Sequence, residues 1–241
     1  MNLRLKRYLQ KQKKKLELDI TKQEILETLK KLKNNKSPGT DGFTAEFFKF
    51  FWADIGTLVL NSFKYSLKSG QLSPTQTQGI ISNLPKGNKP REYLKKNWRP
   101  ISLLNITYKL LSSVLANRVK PILSKIIHEN QKGFLAGRYT GENSRLLYDI
   151  IHYCNENNEP VLVLLIDFEK AFDSVSWKFI FKVLEFFNFG EFFINCIKFL
   201  LRDAKLCVIQ NGIFSEFFNI GRGCRQGDPI SNILISIPHL C

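Results

Sequence analysis

The feature that most constrains the fold is a run of six apolar residues, Val161-Leu-Val-Leu-Leu-Ile166, closed by Asp167 and set between helix-forming stretches. It is too short for an independent buried helix and far too short to cross a bilayer. Its Val, Leu and Ile content suits a strand buried on both faces. Such a strand predicts a sheet covered by helices. It also delivers Asp167 at the strand's end, where side chains emerge from the core into a cleft.

Periodicity on either side fills in the elements. Thr21-Lys-Gln-Glu24 is a capping box, and Ile25, Leu26, Leu29 and Leu32 follow at helical spacing, predicting a helix that stops at Asn34-Asn35. Helices are predicted over about 44–51 and 53–69, with Gly70 as the C-cap residue. Phe43, Phe47, Phe48, Phe50, Phe51 and Trp52 give these helices an aromatic face that reads as core. Short strands with polar, basic turns occupy 79–102. Residues 105–127 read as a helix capped by Asn105, with Pro121 forcing a break or kink. A loop from Gln131 to Tyr139 leads into a helix near 141–157, and two more follow near 177–187 and 191–201. Asn211-Gly212 between 205–210 and 213–220 is the signature of a type I′ hairpin. Long helices with a few strands argue an α+β fold.

Charge points to the partner. The chain of 241 residues carries 36 Lys/Arg against 21 Asp/Glu, a formal net charge of +15. Residues 1–36 hold 12 basic and 4 acidic side chains, so more than half of the excess lies in an N-terminal arm. That balance suits nucleic acid or an acidic membrane surface, though a solvated helix has the same composition. No apolar signal-type segment follows Met1, which predicts a soluble, intracellular chain in the cytoplasm, the nucleus or both, with no membrane partner. The five cysteines are odd in number and scattered without a CxxC pair, so they read as reduced, with no disulfide partner and no zinc site.

Two segments carry chemistry. In Leu164-Leu-Ile-Asp-Phe-Glu-Lys-Ala-Phe-Asp-Ser-Val175, an apolar run presents Asp167 where a metal-assisted phosphoryl transfer needs a carboxylate. Alone, such an Asp also serves to cap a turn. Gly221-Arg-Gly-Cys-Arg-Gln-Gly-Asp-Pro-Ile-Ser231 is a glycine-rich loop after the hairpin, where backbone can approach a ligand and Arg222, Arg225 and Gln226 supply donors.

Phe168-Glu-Lys-Ala-Phe-Asp173 resembles motif A, and Gly223-Cys-Arg-Gln-Gly-Asp-Pro-Ile-Ser231 motif B, of LINE-type (non-LTR) retrotransposon reverse transcriptases. Asn97-Trp-Arg-Pro-Ile-Ser-Leu-Leu104, Leu115-Ala-Asn-Arg118 and Gln131-Lys-Gly-Phe-Leu-Ala-Gly-Arg138 resemble that family's fingers motifs. Lys36-Ser-Pro-Gly-Thr-Asp-Gly42 resembles the element just before them. The resemblance is collinear from about residue 36 to 231.

It implies a right-hand polymerase architecture, with a basic helical arm over 1–35 and fingers plus an incomplete palm over 36–241. The implied activity is RNA-directed DNA synthesis with two Mg²⁺ ions, an RNA template, a DNA primer and dNTPs. By the same resemblance Asp167 would be the catalytic carboxylate, sharing a metal with the backbone carbonyl of Phe168. Phe172 would be the steric gate against a 2′-hydroxyl, with core packing as its other reading. Gln226 and Gly227 would shape the nucleotide floor. Arg99 would meet the triphosphate, helped by Lys86 or Lys89. Arg138, Lys132 and Arg225, with some of the arm's lysines, would contact nucleic acid. Asp173 reads as the organiser of the turn before Trp177.

The sequence departs from the family at two points, one of them the divergent stretch 232–241 after motif B, where Pro238 would interrupt the family's helix. The family's further Asp pair, motif C, has no counterpart, since no Asp-Asp dipeptide occurs in the chain. The expectation is a chain truncated before the polymerase site is complete, and inactive alone. A catalytically dead nucleic-acid-binding module is the other class of reading. A group II intron maturase is a weaker third.

Overall fold

The computed structural model describes residues 14–86, 98–133, 135, 137–167 and 170–236. The first helix, α1 (Lys22–Lys31), starts on the expected capping box, with both reciprocal bonds between Thr21 and Glu24 formed, and ends at Leu32, short of Asn34. Then come α2 (Ala45–Phe50), α3 (Trp52–Ser69) and the single turn α4 (Pro74–Thr77). Gly70 closes α3 in the left-handed region at φ 68°, as its position predicts. Strands β1 (Gln78–Pro85) and β2 (Trp98–Leu104) precede the long helix α5 (Ile106–Ile126). After α6 (Gly141–Glu156) come α7 (Ala171–Ser174), α8 (Trp177–Phe186), α9 (Glu191–Leu201), the hairpin strands β3 (Lys205–Gln210), β4 (Ile213–Phe214) and β5 (Phe218–Asn219), and α10 (Ser231–Ser236).

The sheet is mixed, in the order β2-β1-β3-β4, with β5 also paired to β3. β1 runs antiparallel to β2, with Ile81 opposite Ser102, and parallel to β3, with Gly79 opposite Leu206. Asn211 and Gly212 both take positive φ, 51° and 80°, as a type I′ turn requires. The returning strand is split, because the Ser215 hydroxyl takes the place of a backbone acceptor and receives the Val208 N–H at 2.9 Å. Helix α1 packs on both α3 and α5, and α8 packs on α9. Tyr108, Leu111, Leu115, Phe193 and Leu200 are buried in one apolar cluster with Ile25 and Leu29. That cluster crosses the boundary expected at residue 36.

Several expectations need correction. The 161–166 run pairs with no strand among the described residues, and its side chains are exposed, Leu162 at 92% and Leu165 at 83%. A buried strand needs a neighbour to satisfy its amides and a layer to cover each face. None of the described strands lies alongside this one. Helix α6 beside it in the chain has no buried residue either. Asn105 stands at the N-cap position of α5 without capping it. Its side chain accepts from Thr40 Oγ1 at 3.2 Å and donates to the Thr75 carbonyl at 2.8 Å, which ties the 36–42 loop to α4. Gly39 is required there, because a Cβ would lie 2.0 Å from Asn105 Oδ1. Pro121 does not break α5, which continues through it to Ile126. Among the described residues, no helix is long and apolar enough to cross a membrane, and Cys154, Cys196, Cys207 and Cys224 are free thiols.

Candidate nucleotide site

The two segments singled out by their chemistry meet. A left-handed Lys170, at φ 53°, turns the chain into α7. The Phe172 carbonyl then accepts the Cys224 N–H at 2.6 Å, and the Val175 carbonyl accepts the Gly223 N–H at 2.8 Å. The Trp177 indole donates to the Gly223 carbonyl at 2.7 Å. Only glycine suits position 223: φ is +79°, and a Cβ would stand 2.7 Å from the Phe172 oxygen. On its other side the loop is fixed to the sheet, where Ser102 N–H donates to the Gln226 carbonyl at 2.7 Å. Gly227 follows at φ +104°, with its missing Cβ 2.8 Å from the Ser102 carbonyl.

These bonds enclose a cavity of about 320 Å³ whose lining includes Ile81, Ser102, Phe172, Asp173, Arg222 and Gln226. Phe172 is half-buried and packs against the core cluster. Burial raises the Asp173 carboxyl above the usual Asp range, against the opposing charge of Lys170. The cavity is therefore an aromatic ring, a glycine-rich backbone wall and a few polar groups. Such a surface suits a flat ligand carrying a few polar groups.

Behind the loop lies a buried polar network that the sequence did not reveal. Asp228, 3% exposed, accepts from Tyr108 Oη at 2.6 Å, from Ser112 Oγ and from the Ile230 N–H at 3.3 Å. Arg225, 6% exposed, lies over the Tyr108 ring at 4.2 Å, donates to the Leu200 carbonyl at 3.1 Å and sits 3.7 Å from Asp228. Burial above all holds Tyr108 well above the ordinary tyrosine pKa, so its phenol stays a donor. Burial likewise pushes the Cys224 thiol up to about 12. The network fastens the loop to α5 and α9. One signal was present: Tyr108 and Ser112 stand four apart, on the same face of a strongly apolar helix.

The other expected residues are scattered. Asp167 is exposed at the end of the unpaired run, and Phe168 lies outside the described residues. Arg99 is exposed on β2, and strand alternation puts it on the opposite face of the sheet from Pro100 and Ser102. Lys86 is exposed just past β1, and Lys89 lies outside the described residues. Lys132 is ion-paired with Glu142. Arg138 donates to the carbonyls of His128 (2.5 Å), Gln131 (2.7 Å), Ser124 (3.2 Å) and Ile127 (2.8 Å), so it caps the end of α5. Arg225 is enclosed as described. Neither guanidinium is presented to a ligand as the sequence led us to expect, because helix-end carbonyls and a buried carboxylate occupy them first. Arg118, in another of the family-like motifs, holds both oxygens of Glu24 at 2.9 Å and the carbonyls of Leu18 and Asp19.

Comparison with known proteins identifies the family. The family described as reverse transcriptase (RNA-dependent DNA polymerase) matches residues 84–238. The chain is 35% identical over 96% of its length to the 149 kDa protein of transposon TX1 from Xenopus laevis, of which it covers 18%. It is 29% identical over 83% of its length to the Pol polyprotein of the type-1 retrotransposable element R2 from Popillia japonica, covering 27% of it. It is also 29% identical over 89% of its length to a probable RNA-directed DNA polymerase from transposon BS of Drosophila melanogaster, covering 24%. The chain thus spans about a quarter or less of these relatives. It belongs to the reverse transcriptase family, in its non-LTR retrotransposon branch.

Reverse transcriptases generally use divalent metal ions. Among the described residues, no three His, Cys, Asp or Glu side chains come together in a group that could hold one. Asp167 is exposed and joins no such group among the described residues, whereas two magnesium ions about 3.5–4 Å apart need a shared set of hard oxygen ligands. The described donor set does not fit the metal pair.

Proposed function

We propose that this chain is the nucleotide-selecting part of a reverse transcriptase, the fingers and a portion of the palm of a right-hand polymerase. In the intact enzyme that assembly adds dNTPs to a DNA primer on an RNA template. The observation that carries the reading is the meeting of the 170–177 segment with the glycine loop around one cavity that Ser102 also lines. In this reading the Phe172 ring packs under the sugar and leaves no room for a 2′-hydroxyl. Gln226 and Gly227 form the floor. Lys86 reaches the triphosphate from the fingers and Lys132 follows the template, while Arg99, across the sheet from the cavity, does not reach it. Asp167, with the Phe168 carbonyl, offers one corner of a metal site. Arg138 and Arg225 leave the set of nucleic-acid contacts and act through the fold instead.

A single carboxylate cannot hold both attacking and leaving oxygens through two metals. We therefore expect no DNA synthesis by this chain on a primed RNA template with Mg²⁺ and dNTPs. Extension that disappears in Asp167→Ala overturns that expectation. Nucleotide selection is tested separately, by calorimetric titration with dTTP and UTP. The chain should prefer dTTP, and Phe172→Ala should erase the preference. The lone carboxylate also favours a second reading, a binding module derived from such an enzyme. That reading predicts salt-dependent RNA binding with equal, negligible affinity for both nucleotides.

A further inference from the structure

A second cavity, of about 370 Å³, lies between the end of α3 and the exposed side of α9. Its ionisable lining includes Lys68, Lys198 and Arg202 and no carboxylate. Ser69 and Asn195 add neutral polar groups, and the half-buried Phe192 contributes a ring. The larger cleft between α1 and α5 differs, because Lys15, Lys31 and Arg118 there face Asp19, Glu24 and Glu27. Glu185 and Glu191 line the adjoining hollow that shares Asn195 and Lys198, and so bound the basic side. The end of α3 contributes roughly half a negative charge from its carbonyls, which three full cations outweigh. Arg202 has Asp203 at 3.4 Å, but both side chains are exposed, and such a pair gives way readily to a phosphate. Lys198 lies 5.7 Å from the Phe181 ring, which limits where its ammonium can go.

We propose that this cavity is a second nucleic-acid contact, taking the phosphodiester backbone of an unpaired RNA strand and stacking a base on Phe192. Cations that track phosphates beside an aromatic face are what a single strand needs, since phosphate supplies affinity and any base can stack. None of these residues lines the candidate nucleotide cavity, so this is a separate site. The inference rests on the reading of the chain as a nucleic-acid-binding polymerase domain.

The test is fluorescence anisotropy of the whole chain with a labelled single-stranded RNA between 50 and 300 mM KCl. The triple variant Lys68→Gln, Lys198→Gln, Arg202→Gln alters only exposed side chains. Its slope of log K against log salt should fall by about 2, roughly 0.7 for each phosphate that is no longer neutralised. Phe192→Ala should weaken binding severalfold without changing the slope. A matched triple, Lys120→Gln, Lys125→Gln, Lys178→Gln, should leave the slope within about 0.5 of the parent. If both triples lower it equally, the effect is net charge and the proposal falls. An unchanged slope in the first triple overturns this RNA site alone. Absence of any RNA binding by the unaltered chain overturns the polymerase-domain reading, and the RNA site with it.

Discussion

At the scale of residues, the most consequential side chain is a carboxylate that meets no ligand. Asp228 has an ion-pair partner in Arg225 and three hydrogen-bond donors, Tyr108, Ser112 and the Ile230 amide, all within the core. Removing its charge leaves a buried guanidinium uncompensated, which typically costs about 3–5 kcal/mol. Removing one neutral donor to that carboxylate costs less, about 1.5–3 kcal/mol. Urea unfolding should therefore rank Asp228→Asn below Tyr108→Phe in stability. Equal midpoints would mean that Asp228 does not hold Arg225 in place. A pH effect follows with a definite sign. Tyr108 is raised above its ordinary value of 10.0, so its contribution is complete below that pH and is lost as pH climbs above it. Tyr108→Phe should lack that alkaline loss.

At the scale of elements, the sequence was readable wherever the signal is local. The capping box of α1, the Gly70 terminator and the Asn211-Gly212 turn each lie within a few residues, and each formed as expected. What failed depends on distant partners. Asn105 looked like a cap for its own helix, but the 36–42 loop, more than 60 residues earlier, competes for its side chain. Arg138 looked like a phosphate ligand until the end of α5 and the loop after it supplied four carbonyls. In the candidate site, the glycines were legible because positive φ and close approach leave few other residues possible. The network behind them was not, since Tyr108 and Asp228 are 120 positions apart. The 161–166 run is the opposite case, a strong strand signal with nothing beside it. An uncharged, β-prone six-residue segment left exposed is a template for self-association. Leu162→Lys with Leu165→Lys should raise the soluble fraction severalfold and leave the melting temperature unchanged. A lower melting temperature would show that these side chains are buried in solution.

At the scale of the whole molecule, the N-terminal segment decides whether the chain folds as one unit. Its composition suggested a basic helical arm, and within it Leu16, Ile20, Ile25 and Leu29 are at most 2% exposed. Arg118 of α5 clasps that segment through Glu24 and two carbonyls, in an ion pair whose arginine side chain is only 7% exposed. Part of that charge and the apolar stripe belong to the same helix, so Lys30 and Lys31 face water while Ile25 and Leu29 complete the core beneath α5. Truncating such a buried Ile or Leu to Ala costs about 2–5 kcal/mol, a large part of an ordinary domain's stability. A chain beginning at Lys36 would lose these side chains together and expose the apolar face of α5. It should lose its cooperative thermal transition, while Ile25→Ala should keep one at a lower temperature. An unchanged melting temperature for 36–241 would mean that the segment is an appendage after all, and that the core closes without it.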